Sequence, residues 1–129
     1  MTILVAYVPR PEGRAAVTRG IEMAKLTGQP LYVVNAGPGG EDMSKAFSDT
    51  ADMAEVEEEL AGSGVAYQLK QFVRGRTAAE EIEELAAELP ASMLVIGLRR
   101  RSPVGKLVLG SVAQDLLMGV ECPVLAVKR

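Results

Sequence analysis

Five short apolar runs punctuate the chain. Ile3–Val8 (ILVAYV) and Leu31–Ala36 (LYVVNA) are almost continuously apolar and rich in β-branched residues. That is the pattern of strands covered on both faces. Met93–Gly97 and Val124–Val127 read the same way. Val65–Phe72 (VAYQLKQF) differs: Val65, Tyr67 and Leu69 alternate with Ala66, Gln68 and Lys70, which predicts an edge strand with one wetter face.

Between these runs the apolar positions change to helical spacing. Glu12–Leu26 places Val17, Ile21 and Ala24 on one face and ends at Thr27-Gly28, with Pro30 just beyond. Asp49–Leu60 carries Met53, Val56 and Leu60 on one stripe and stops in Gly62-Ser63-Gly64. A third helix begins at "TAAE", where Thr77 and Glu80 have capping-box spacing and Ala78, Ile82, Leu85 and Leu89 form the expected buried stripe. A fourth begins at "SVAQ", a box-like pattern from Ser111 to Gln114, with Val112 and Leu116 expected to face inward. Met23, Met53, Met93 and Met118 sit at core-facing spacings and predict packing. The acidic run "EEIEEL" reads as a solvated helix face, with acids placed well near the N-terminus.

The alternation of strand and helix predicts a parallel sheet with helices on both faces, in one α/β domain over residues 1–129. In such sheets ligands bind beyond the carboxyl ends of the strands. The exits "VPRPEG", "AGPGGED" and the loop after Gly97 belong at that end.

Charge and composition narrow the chemistry. Hydrophobic residues make up 48% and charged residues 24%, and the net charge is -3. The overall field therefore favours neither nucleic acid nor an anionic membrane. The one cysteine, Cys122, excludes an internal disulfide, suits a reducing compartment and reads as a small buried hydrophobe before Pro123. With no histidine, Ser-His-Asp and Cys-His chemistry and the usual zinc sites are absent. No run approaches a membrane span, and the start "MTILVAYVPR" has no basic leader, so the expected location is cytoplasmic.

One stretch carries candidate chemistry. The run Met93–Ile96 stops at Gly97 and leads into Arg99, Arg100 and Arg101; Gly110-Ser111 then opens a helix. A glycine that admits close approach, guanidinium groups and a helix N-terminus are the parts of an anion site. They are equally the parts of a strand-to-helix crossover, with Ser111 as N-cap, and the residues alone leave both readings open. "VGKL" is not a Walker A loop: seven residues separate Gly97 from Gly105, and Leu107 follows Lys106. The first turn, with only Gly13, carries no GxGxxG fingerprint.

Taken together, "ILVA", "VRGRTAAEEI", "MLVIG", "LVLGSVAQDLL" and "CPVLAVKR" resemble the universal stress protein family over nearly the whole chain. The family's nucleotide motif is Gly, two residues, Gly, nine residues, then Gly-Ser or Gly-Thr. Gly97 and Gly110-Ser111 match it, and Arg100 stands at the second glycine. Val8 stands where ATP-binding members commonly carry an aspartate.

The resemblance implies a Rossmann/flavodoxin-like sandwich of the adenine nucleotide α-hydrolase-like class, with strand order 3-2-1-4-5. It implies an adenine nucleotide, ATP or AMP and possibly with Mg²⁺, as ligand. Gly97, Gly110, Ser111 and Val112 would cradle phosphate and ribose, Arg99, Arg100 or Arg101 would neutralise charge, and the backbone at Ala36 would meet the base. It implies a homodimer paired through Val124–Val127. The alternative is a nucleotide-independent dimeric scaffold. A third reading, weak ATP hydrolysis, lacks an acid between Gly97 and Gln114, although Glu12, Glu41 or Asp42 could fold in.

Overall fold

The computed structural model describes residues 1–37, 49–73, 77–98 and 110–129. The elements run β1 (Thr2–Ala6), α1 (Pro11–Thr27), β2 (Leu31–Gly37), α2 (Thr50–Gly62), β3 (Tyr67–Val73), α3 (Ala78–Glu88), β4 (Ala91–Leu98), α4 (Ser111–Gly119) and β5 (Val124–Lys128). All strand pairs are parallel, and the sheet order is β3-β2-β1-β4-β5, as the sequence reading has it. Val5 of β1 is in register with Val33 of β2 and Val95 of β4.

Alternate strand residues feed two cores. Ile3, Val5, Val33 and Val95 pack with Val17, Ile21 and Ala24 of α1 and Val56 and Leu60 of α2. Leu4, Val34, Leu94 and Ile96 pack with Ala79, Ile82 and Ala86 of α3 and Leu116 of α4. The central strands are thus covered on both faces, which explains their continuous apolar runs. β3 lies at an edge and alternates half-buried with exposed residues from Val65 to Lys70.

Several boundaries differ from the sequence pattern, each for a local reason. β1 ends at Ala6 instead of Val8, although the Tyr7 N–H still donates to Val34 O at 2.8 Å before the chain turns through Pro9 and Pro11. α1 starts at Pro11, whose fixed φ and missing N–H suit the first helical position, and ends on Gly28 in the left-handed region at φ 72°. Asp49 is the N-cap of α2, accepting from the Asp52 N–H. Thr77 caps α3 by accepting from the Glu80 N–H at 3.1 Å; the Glu80 carboxyl accepts from the Thr77 hydroxyl instead of reaching the backbone.

Three packing expectations are corrected. The stripe of α3 is rotated: Ala79, Glu81, Ile82 and Ala86 are buried, which takes Glu81 off the solvated face expected of EEIEEL, while Ala78, Leu85 and Leu89 flank them. In α4 only Leu116 is buried; Val112, expected inward, is 43% exposed. Met118 is 87% exposed, unlike Met23, Met53 and Met93, which pack against the α1–α2 core. A short helix that leans on α3 through one stripe leaves Val112 and Leu117 on its flanks and Met118 on its far side.

The tightest packing lies under α1. A Cβ at Gly13 would overlap the Val8 carbonyl, one at Gly97 would overlap the Glu12 carbonyl, and one at Gly20 would stand 2.6 Å from Val5 Cγ2. Gly62, at the end of α2, has open space. Gly13→Ala is therefore expected to cost about 1–3 kcal/mol through overpacking against backbone. Gly62→Ala should be neutral or gain up to about 1 kcal/mol of helix propensity. Urea unfolding of both variants checks the contrast; equal stabilities would refute the close seating of α1.

Candidate functional site

The exits of β1, β2 and β4 leave a cavity of about 490 Å³ at the carboxyl end of the sheet. Ala36, Gly97, Gly110, Ser111 and Val112 all line it, so five of the candidate residues come together from three elements. Arg99, Arg100 and Arg101 lie outside the described residues.

Two of the five hold that position for reasons other than those the sequence suggested. Gly97 is needed for helix packing: the room its missing side chain leaves is occupied by the Glu12 carbonyl of α1. Ser111 is not the N-cap of α4. Gly110 takes that place in extended conformation, its carbonyl accepts from the Gln114 N–H at 3.0 Å, and among the described residues no side-chain cap bond is made there. A helix leaves its first N–H groups without intrahelical partners, and here they belong to residues that line the cavity. Their partial positive charge favours an anion.

Further residues line it, among them Val8, which stands at the family's aspartate position, and Tyr7, Arg10, Ile82 and Leu98, which sequence reasoning did not place at the site. Tyr7, Val8, Arg10 and Glu12 come from the β1–α1 turn, and Ile82 and Leu98 close the apolar wall. The signal for the turn was its position at the same sheet end; its side-chain roles depend on α1, which no local pattern orients. Glu12, named as an acid that could fold in, does so and is only 6% exposed. Glu41 and Asp42 lie outside the described residues.

A polar network braces this end of the sheet. Asn35, fully buried on β2, donates to the Tyr7 carbonyl at 2.9 Å and accepts from Gln71 Nε2 of β3 at 3.0 Å. The Tyr7 hydroxyl donates to Asp52 Oδ2 of α2 at 2.6 Å. Arg14 of α1 stands 3.9 Å from Asp52, 3.2 Å from Glu55 and 3.5 Å from Glu59. The outer pairs are exposed and contribute little, while a hydrogen bond to a carboxylate from a buried phenol is worth about 1.5–3 kcal/mol. Burial, first, and then the Asp52 carboxyl push the Tyr7 phenol well above its ordinary range. Burial likewise pushes the Cys122 thiol up, away from the reactive thiolate.

A model of the universal stress protein family matches residues 1–128. The chain belongs to that family. It is 46% identical over 126 residues to a universal stress protein of Mycolicibacterium smegmatis, covering 98% of this chain and 96% of the relative. The structure of a universal stress protein from Archaeoglobus fulgidus is similar at 30% identity and a TM-score of 0.78, covering 97% of this chain and 96% of that one. A universal stress protein of the same organism in complex with dAMP is similar at 25% identity and a TM-score of 0.66, covering 97% and 94%. Family and strand order together establish the Rossmann-like fold of this universal stress protein.

The raised Tyr7 pKa sets a pH dependence. An unfolded tyrosine loses its proton near pH 10, before the folded one, so the stability Tyr7 contributes is complete below that pH and is lost as pH rises above it. Tyr67, raised by its hydrogen bond to Glu57, acts in the same direction. Tyr7→Phe should therefore be less stable than the parent at pH 8 and lose less stability between pH 8 and 11. Urea unfolding at both pH values measures this; identical losses would show that neither burial nor Asp52 holds the folded phenol protonated.

Proposed function

We propose that this universal stress protein binds an adenine nucleotide, ATP or AMP, in the cavity at the carboxyl ends of β1, β2 and β4, and that it acts as a stress-response binding module and not as an enzyme. The observation that carries this reading is the start of α4, where no side-chain cap is made among the described residues and Gly110, Ser111 and Val112 line a cavity of about 490 Å³, a size common for small-molecule sites. Phosphate sits at Gly110, Ser111 and Val112. The base meets the backbone at Ala36. The arginines at 99–101 follow β4 directly in the sequence and supply positive charge, with Mg²⁺ accompanying a triphosphate. The A. fulgidus relative in complex with dAMP supports the ligand class. A single cysteine suits a cytoplasmic protein, and among the described residues no helix is long and apolar enough to cross a membrane.

One observation favours a second reading, a nucleotide-independent scaffold. Val8 lines the cavity where an aspartate would offer a nucleoside an acceptor. Calorimetric titration of ligand-stripped protein with ATP and AMP, with and without Mg²⁺, separates the two. Saturable micromolar binding is expected, with about 2.7 kcal/mol of added stability at 100 times the dissociation constant. No heat from either nucleotide while the fold is intact would favour the scaffold.

The protein works as a homodimer paired through Val124–Val127. β5 is an open sheet edge, and Leu117 and Met118 of the neighbouring α4 are exposed apolar residues. Leu94 N–H donates to Pro123 O and Arg129 N–H donates to Leu98 O, so odd-numbered β5 residues face β4. By alternation the Ala126 N–H points outward. Ala126→Pro removes that donor and spares the β4 ladder. Light scattering should then report a monomer with native circular dichroism; a persisting dimer would refute pairing through β5.

A further inference from the structure

The cavity has a direction. Along the sheet, β2 contributes Ala36, β1 leads to Val8, and β4 contributes Gly97, while α4, the crossover from β4 to β5, brings Gly110 and Ser111. With the phosphate at α4 and the base at Ala36, the sugar falls between them, beside Val8 and Gly97. Glu12 is fixed at that point. Its carbonyl fills the space under Gly97, and its Cβ lies 3.1 Å from where a Gly97 Cβ would stand.

Among the described residues lining the cavity, Glu12 is the one acid, and it is nine-tenths buried. The other polar side chains of the lining are Arg10, Ser111 and Tyr7, and the Tyr7 hydroxyl is committed to Asp52. A carboxylate next to the cavity repels phosphate and accepts from hydroxyls. Glu12 already has an interaction within the chain, and two carboxyl oxygens offer about four acceptor sites, which leaves room for further donors. A vicinal diol presents two donors close together, and a carboxylate at the carboxyl end of a parallel sheet is a known partner for a ribose hydroxyl; Glu12 reaches that end from the first turn of α1.

We infer that Glu12 accepts from the ribose hydroxyls and makes the site selective for a ribonucleotide with free 2′ and 3′ hydroxyls, over 2′-deoxy and 3′,5′-cyclic nucleotides. This rests on the nucleotide reading of the cavity and adds the residue that reads the sugar. The open α4 N-terminus treats AMP and dAMP alike, so discrimination between them has to come from the middle of the cavity.

The test is calorimetric titration of the parent, Glu12→Gln and Glu12→Ala with AMP, 2′-dAMP and 3′,5′-cyclic AMP. The parent should bind AMP at least tenfold more tightly than either analogue. That is about 1.4 kcal/mol, near the lower end of a hydrogen bond to a charged group. In both variants the preference for AMP over dAMP should fall to within about twofold while dAMP binding persists; the cyclic nucleotide, whose phosphate also differs, should keep part of its deficit. A purely structural role would lower AMP and dAMP affinities together and leave their ratio intact, which overturns the inference. Glu12→Gln keeps shape and length, so it carries the test if Glu12→Ala fails to fold. Equal binding of all three nucleotides by the parent overturns the role of Glu12 alone; no binding of AMP overturns the nucleotide reading and the inference with it.

Discussion

The seating of α1 on β1 and β4 sets the shape of the carboxyl end of this sheet. Three side chains are missing where the helix touches the strands, at Gly13, Gly20 and Gly97. Without a Cβ at Gly13 the first turn of α1 drops onto the Val8 carbonyl, and without one at Gly97 the Glu12 carbonyl rests against β4. Interiors are packed too densely to absorb even a methyl group at backbone contact. The helix therefore cannot rise or slide, and Glu12 is delivered to the cavity wall as a consequence of packing.

The same constraint explains the polar bracing around it. Strand ends leave carbonyls and N–H groups that need partners once buried. Asn35 answers one of them by donating to the Tyr7 carbonyl while Gln71 holds the Asn35 oxygen. Tyr7 in turn reaches across to Asp52, so β1, β2, β3 and α2 are tied within one chain of contacts. A network with its members satisfied rigidifies its surroundings. The cavity is consequently framed by fixed walls on the β1 and β2 sides.

How much of this is readable from sequence follows the range of the interactions concerned. Strands buried on both faces show themselves as apolar runs, and the helix stops at Gly28 and Thr77-type caps are decided within a few residues. Gly110 and Ser111 are also readable, because their spacing from Gly97 places them at one end of one crossover. Which residue caps α4 is not: Ser111 has the right chemistry, yet Gly110 occupies the position. The function of Gly97 is hidden for another reason. Its neighbour is Glu12, 85 positions away in the chain, and nothing near Gly97 announces a helix above it. Met118 misleads in the opposite direction, since helical spacing counts it inward while α4 buries a single stripe.

That thin anchoring makes α4 the element on which ligand contacts tell most. Its first turn lines the cavity, its last turn carries exposed Leu117 and Met118, and Leu116 is its one buried side chain. Elements with few buried contacts open at lower free energy than the core they lean on. The strands on the far side of the cavity are already fixed by packing and by the Asn35–Tyr7–Asp52 network. The first N–H groups of α4, which have no intrahelical partners, belong to that weakly anchored helix, so the cavity wall is firmest on the β1 and β2 sides and least anchored at α4.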